Sequence, residues 1–277
     1  MSNSIVSSNW LFENLNNPDL IIIDASQPTN QAGKKSEFEN VQIKGARHFD
    51  LKNTFSDANS EFPNTLPSQK DFEKEARKLG INPSSKIVVY DNLGIYTSPR
   101  VWWMFKAMGH KAVAVLDGGL PDWMEHGFET EQKSISKVES GNFEANFQPD
   151  LVVDYSFVLS NINTDNSLVI DARSAGRFNG TEPDPRKGLK SGHIENSINI
   201  PFESVLENGK FKPIAALNLV FEELQNENRP LVFSCGSGIT ACIIMLAADL
   251  VSQNKKAVYD GSWTEWAERK NLKEITS

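Results

Sequence analysis

"PLVFSCGSGITACIIMLAADLVSQNKKAVYDGSWTEW", residues 230–266, restates an earlier stretch of the same chain, "KIVVYDNLGIYTSPRVWWMFKAMGHKAVAVLDGGLPDW", residues 86–123. In both, a β-branched run ends in one polar residue, and a glycine-bearing loop leads into an apolar helical pattern. A second β-branched run then closes on an aspartate that stands six residues before a tryptophan, Trp123 or Trp266. Asp91 matches Cys235 and Asp117 matches Asp260, at separations of 144 and 143 residues. Further out, "LIIIDAS" (20–26) matches "SLVIDAR" (167–173), with Asp24 against Asp171 at 147. Landmarks at nearly constant offset identify a duplicated domain.

Each copy alternates short strand-like runs with helical patterns. "IIIDA", "KIVVYD" and "AVAVLDGG" read as strands, and "SQKDFEKEARKLG" (68–80) reads as a helix with a serine cap and a glycine stop. That alternation predicts an α/β fold in which each half is a mainly parallel sheet flanked by helices. The expected boundaries are residues 1–130 and 151–277, joined by a polar, aperiodic linker at 131–150.

The 277 residues suffice for two ordinary domains. A net charge of −8 argues against a general nucleic-acid binder. The longest apolar stretch, "ITACIIMLAADLV", has 13 residues and is too short to span a bilayer, and the start has no secretory signal pattern. Cys235 and Cys242 lie seven apart without a second Cys/His cluster. A disulfide framework and a zinc site are therefore not expected, and a reducing, cytoplasmic setting is. No HExxH pattern or dinucleotide fingerprint is present, so neither a metal nor a cofactor is expected.

In parallel sheets the binding crevice lies beyond the carboxyl ends of the strands, which is where Cys235 falls. Gly236 and Gly238 let the backbone of "CGSGIT" curl into a nest of inward N–H groups, and the following helix adds its positive end. A thiolate is stabilised there, which makes Cys235 a candidate nucleophile; the alternative is a small buried residue packing a turn. Cys242, inside the apolar helix, reads as core. A cysteine phosphatase would need an arginine at the far end of such a loop, but residues 235–254 contain no arginine or lysine. The tryptophans Trp102, Trp103, Trp123, Trp263 and Trp266 read as packing residues.

The "CGSGIT" loop, "DARSAGRFNGTEPDPRKGLKSGHIENSINIPF" (171–202), "SPRVWWMF" (98–105) and "DGGLPDW" together resemble the two-domain rhodanese-type sulfurtransferases, closest to their 3-mercaptopyruvate branch. The resemblance covers nearly the whole chain. Thiosulfate enzymes of the family typically carry basic residues inside the loop, which this loop lacks. The resemblance implies two tandem rhodanese-like domains, with Cys235 accepting sulfur from a small-molecule donor as a persulfide. The sulfur then passes to a thiol, cyanide or thioredoxin-like acceptor. The N-terminal domain of such proteins lacks the cysteine, in keeping with Asp91.

The resemblance also implies that Arg177 and Arg186 bind the carboxylate and carbonyl end of mercaptopyruvate, and the planar forks of arginine suit a carboxylate. Gly236, Ser237, Gly238, Ile239 and Thr240 are expected to supply amides, and Ser237 a hydroxyl that donates to the substrate carbonyl or helps move a proton. Arg173 and His193 read as structural. A serine–histidine–aspartate relay proposed for such enzymes would take its histidine from an "HIPGA"-type stretch. Here the matching stretch is "QIKGA" (42–46), so Gln42 replaces the histidine. Thiosulfate transfer, and a persulfide-binding adaptor with weak turnover, remain the alternatives.

Overall fold

A computed structural model describes residues 3–28, 30, 33–134, 138–224 and 226–275, with side chains of the last helix described through Lys270. The chain divides into two compact units. Unit 1 comprises Met1–Ala58, Leu66–Gln148 and Leu206–Phe211; unit 2 comprises Asn59–Thr65, Pro149–Val205 and Lys212–Ser277. Each half of the sequence thus lends one short strip to the unit built by the other. The polar stretch expected as a linker is counted with unit 1 as far as Gln148. Its Phe143 is buried and bonds through its amide to Ile81 O at 3.0 Å, and the Asn146 amide bonds to Met108 O at 3.0 Å.

The two sheets repeat one plan. In unit 1 the strands lie in the order Ile5–Val6, Val113–Leu116, Lys86–Tyr90, Leu20–Asp24, Arg47–His48, all parallel. In unit 2 the matching order is Val152–Val153, Lys256–Tyr259, Leu231–Ser234, Leu168–Asp171, Ile198–Asn199, again all parallel. The central strands are apolar and almost wholly buried, as a sheet covered on both faces requires. The mainly parallel α/β fold read from the sequence is the fold observed.

The helix Gln69–Lys78 begins where Ser68 Oγ accepts the Asp71 amide, and Gly80 follows it at φ +67°. The helix Thr240–Asp249 is buried through Ala248 and packs on the strands Leu231–Ser234 and Lys256–Tyr259. Trp102, Trp103, Trp123, Trp263 and Trp266 are all buried, as their reading as packing residues expects. In unit 2, Ser234 pairs level with Asp171, so the loops after both strands emerge at one edge of the sheet. Cys235 begins one of them, and Arg173 lies at the start of the other.

Candidate active site

The loop Cys235–Ile239 is held from behind by the helix Ser262–Ile275. The Cys235 amide donates to Ser262 Oγ at 3.3 Å, while the Trp263 amide donates to Cys235 O at 2.9 Å. The Thr264 amide and hydroxyl both donate to Gly236 O, at 3.1 and 2.6 Å. With both carbonyls turned toward that helix, the trans peptide planes turn the amides of Gly236 and Ser237 the other way. Gly238 closes the curl at φ +78°, a conformation that suits glycine. Ile239 and Thr240 are half-buried where the next helix starts, and no side chain caps that helix. Cys235 is 2% exposed; Cys242 is wholly buried, with its thiol 3.3 Å from Gly238 O.

Arg177 and Arg186 converge on this loop from the segment after the neighbouring strand. A methyl group placed on Gly236 would come within 2.7 Å of Arg186 Nη1 and 3.2 Å of Arg177 Nη2. The buried Asp184 holds the pair together. Its Oδ2 accepts Arg177 Nη2 at 2.6 Å, its Oδ1 accepts the Arg186 amide at 2.9 Å, and Oδ1 lies 3.5 Å from Arg186 Nη1. Arg177 Nε and Arg186 Nη1 are buried yet donate to no protein acceptor, so they retain hydrogen-bonding capacity for a bound anion.

Ser237 carries a second arrangement. Its hydroxyl oxygen accepts Arg186 Nη2 at 2.8 Å and Asn64 Nδ2 at 3.0 Å. Those two donors fill both acceptor positions of a hydroxyl, so the serine hydrogen is left to donate elsewhere. Asn64 was missed in the sequence. It sits at φ +61°, a left-handed conformation that asparagine tolerates, between Pro63 and Pro67. An asparagine flanked by prolines was the signal for a fixed turn. Gln42 commits its amide instead to Ala46 O at 3.2 Å and Glu131 Oε1 at 2.8 Å.

Arg173 and His193 have the structural places expected of them. Arg173 forks onto Asp171 at 2.6–3.0 Å and stacks over Trp263 at 4.3 Å. His193 Nδ1 bonds to Phe178 O at 3.0 Å, and its ring stacks on that of Phe178. Among the described residues no group of three His, Cys, Asp or Glu side chains is placed to hold a metal ion.

Unit 1 shows what the same loop position does with a carboxyl group. Asp91, the counterpart of Cys235, is buried. Its Oδ2 accepts the amides of Tyr96, Thr97 and Ser98 at 2.9 Å each and the Ser98 hydroxyl at 2.7 Å, and its Oδ1 accepts the Leu93 amide at 3.0 Å. A strand end facing a helix start in this fold is therefore an anion cradle.

The family model for the rhodanese-like domain matches residues 7–126 and again 155–269. The chain belongs to the rhodanese family. This rhodanese is 38% identical to the 3-mercaptopyruvate sulfurtransferase of Mus musculus, over 99% of this chain and 95% of the mouse protein. It is 37% identical to the thiosulfate sulfurtransferase of Rattus norvegicus, over 96% of this chain and 92% of that one. Its fold superposes on the crystal structure of SseA from Escherichia coli, described as a 3-mercaptopyruvate sulfotransferase, with a TM-score of 0.83 and 32% identity. That match covers 95% of this chain and 99% of SseA. Both copies of the internal repeat are thus rhodanese domains.

Proposed function

We propose that this rhodanese transfers sulfur from 3-mercaptopyruvate through a persulfide on Cys235 to a thiol, cyanide or thioredoxin-like acceptor, releasing pyruvate. The observation that carries the reading is the pair Arg177 and Arg186 poised over Gly236, beside the cysteine. Two guanidiniums against one buried Asp184 leave a single net positive charge, which suits a monocarboxylate better than the thiosulfate dianion.

The Cys235 thiolate attacks the sulfur of mercaptopyruvate, forming the S–S bond as the C–S bond breaks. The bond pair passes into the enolate of pyruvate, and Ser237 donates its hydrogen to the oxygen on which that charge develops. The proton carried on the substrate sulfur moves to the enolate carbon, giving pyruvate and an anionic persulfide. An acceptor thiolate or cyanide then attacks the outer sulfur, and Cys235 leaves as thiolate. No base is required to act on Ser237, which accounts for a working site with Gln42 in place of a histidine. Delivery to thiols fits a reducing, cytoplasmic compartment. Among the described residues no helix is long and apolar enough to cross a membrane.

The resemblance to a thiosulfate sulfurtransferase keeps that donor as the second reading, with an adaptor of weak turnover behind it. Pyruvate release from mercaptopyruvate, measured beside sulfite release from thiosulfate, decides between the donors, and the expected result is faster turnover of mercaptopyruvate. Intact mass after donor treatment is expected to rise by one sulfur atom in wild type and in Cys242→Ser, and to stay unchanged in Cys235→Ser. A Cys235→Ser protein that still loads sulfur and turns over refutes the assignment.

A further inference from the structure

The internal repeat exposes a difference between the units that the sulfur chemistry does not use. Asp24 and Asp171 end equivalent strands, and each accepts the amide two residues on at 2.9 Å, from Ser26 and from Arg173. The backbone is the same, but the side chain is not. In unit 2 the Arg173 guanidinium fills the ground in front of the carboxylate. In unit 1 the counterpart is Ser26, two atoms long where arginine has seven.

A pocket of about 460 Å³ opens there, at the carboxyl edge of the unit 1 sheet, lined by Ser26, Gln42, Asn92, Lys34, Lys35 and Lys133 among others. Ser26 is 3% exposed, and its hydroxyl has no protein partner, although buried hydroxyls ordinarily have one. The wall carrying Lys34 and Lys35 is pinned by the Ser36 hydroxyl, which donates to Asn92 O at 2.7 Å. Lys133 Nζ lies 3.1 Å from Asp24 Oδ2, supplying the charge that arginine supplies in the other unit.

We infer that this pocket binds a metabolite-sized organic anion through a carboxylate or phosphate group, with Ser26 hydrogen-bonding to it and the lysines bearing its charge. The volume lies within the range of small-molecule sites, which runs to roughly 300–1,000 Å³, and is larger than an inorganic ion needs. Among the described residues of the lining, Lys34, Lys35 and Lys133 stand against one carboxylate, Glu39, so the wall is cationic, while Asp24 and Glu131 lie behind Lys133 and Gln42. A cationic pocket with an unpartnered buried hydroxyl selects an oxygen anion. The rhodanese unit that carries Asp91 where the other carries Cys235 thus has a ligand site of its own at the matching sheet edge.

Pyridoxal 5′-phosphate, which condenses with lysine amines beside anion sites and is fixed by borohydride, tests this on the full chain. Peptide mapping is expected to find Lys34, Lys35 or Lys133 labelled on the order of tenfold faster than the exposed Lys70 and Lys111, the gain that one charge-assisted bond supplies. Pyruvate and glycerol 3-phosphate as competitors separate a carboxylate preference from a phosphate preference, and protection by at least one is expected. Ser26→Arg, which installs the arginine of the other copy, is expected to remove the preference while sulfur loading of Cys235 continues. In the double variant Lys34→Glu, Lys35→Glu, labelling of Lys133 is expected to fall to the rate of surface lysines. Uniform labelling of all exposed lysines, or a preference that survives Ser26→Arg, overturns the inference.

Discussion

A hydroxyl that accepts from both Arg186 and Asn64 can act on a substrate only through its own hydrogen, and this sets the residue-scale predictions. Asn64→Ala frees one acceptor position and lets Ser237 rotate, so kcat is expected to fall with KM little changed. Asn64→Asp turns the partner into an acceptor that draws the hydrogen away, and the fall is expected to be larger, toward the roughly 10²–10³-fold scale of losing one oxyanion donor. Equal effects from the two variants on kcat would count against the donor role. Gln42→His is the contrast. Gln42 Nε2 donates to both Ala46 O and Glu131 Oε1, and an imidazole nitrogen carries one hydrogen, so local packing changes while Ser237 keeps its partners. Less than about a tenfold change in kcat/KM is expected, far below what a positioned general base contributes. Arg177→Ala and Arg186→Ala, each losing a charge-assisted bond of about 2–3 kcal/mol, are expected to lower kcat/KM for mercaptopyruvate roughly 30- to 150-fold. Alkylation of Cys235 should persist in both, and wild-type kinetics in the double variant would remove the arginines from the site. The arginines were legible through the family resemblance, whose motifs "AGRF" and "PDPR" contain them, and not through any local pattern of their own. Asn64 was not, because it lies 173 residues from Ser237 and no local period marks it.

At the scale of elements, the strands and the buried helix were legible because parallel strands covered on both faces must be continuous apolar runs. Less visible was the bond that carries the loop. The Leu120 amide donates to Asp91 O at 3.0 Å just as the Trp263 amide donates to Cys235 O at 2.9 Å. Each donor follows a residue with positive φ, Gly119 or Ser262. A serine in that conformation gives no sequence signal, and Ser262 is held by its own hydroxyl bond to Tyr259 O at 2.8 Å. Past the end of the helix Ser98–Ala107, stability is expected to depend on pH. His110 follows its end, buried beside Phe105 and Phe143 with Nε2 2.9 Å from Ser85 O, and burial lowers its pKa from the ordinary value. The unfolded chain therefore takes up the proton first as pH falls. The stability that His110 contributes is full above its unfolded pKa near 6.5 and is lost as pH falls through the lower folded value, by up to about 1.4 kcal/mol per pH unit in that window. Hydrogen exchange along Lys86–Tyr90, corrected for intrinsic rates, is expected to quicken between pH 7 and 5 in wild type and to change less in His110→Gln. Parallel profiles in the two proteins would show that His110 does not carry the effect.

For the whole molecule, the repeat announced two units but not the exchange of strips between them. Periodicity reports which residues face a core, not which core they face. Asn59–Thr65 belongs to unit 2 and Leu206–Phe211 to unit 1, each a short piece of six or seven residues outside the motifs that marked the repeat. Their contacts are nonetheless specific. In unit 1 the Phe211 ring is buried, its amide donates to Asp117 Oδ1 at 2.9 Å, and Lys210 pairs with Asp122. In unit 2 Asn64 reaches Ser237, and the Arg269 guanidinium lies 5.5 Å from the Phe62 ring. Cutting the chain between Gln148 and Pro149 therefore does not produce two complete domains. Fragment 1–148 lacks Phe211, whose burial contributes about 1.5–3 kcal/mol, and leaves Asp117 without its amide donor. Fragment 149–277 keeps Cys235, Arg177 and Arg186 but loses the strip that fixes Ser237. Expressed alone, each fragment is expected to unfold at lower denaturant than the intact chain, and 149–277 to load sulfur on Cys235 slowly. Co-expression supplies each fragment with the strip it lacks and is expected to restore loading. If 149–277 alone unfolds cooperatively at the midpoint of the intact chain and loads sulfur at the same rate, the strip contributes neither to the fold of unit 2 nor to its chemistry, and the donor role assigned to Ser237 through Asn64 falls with it.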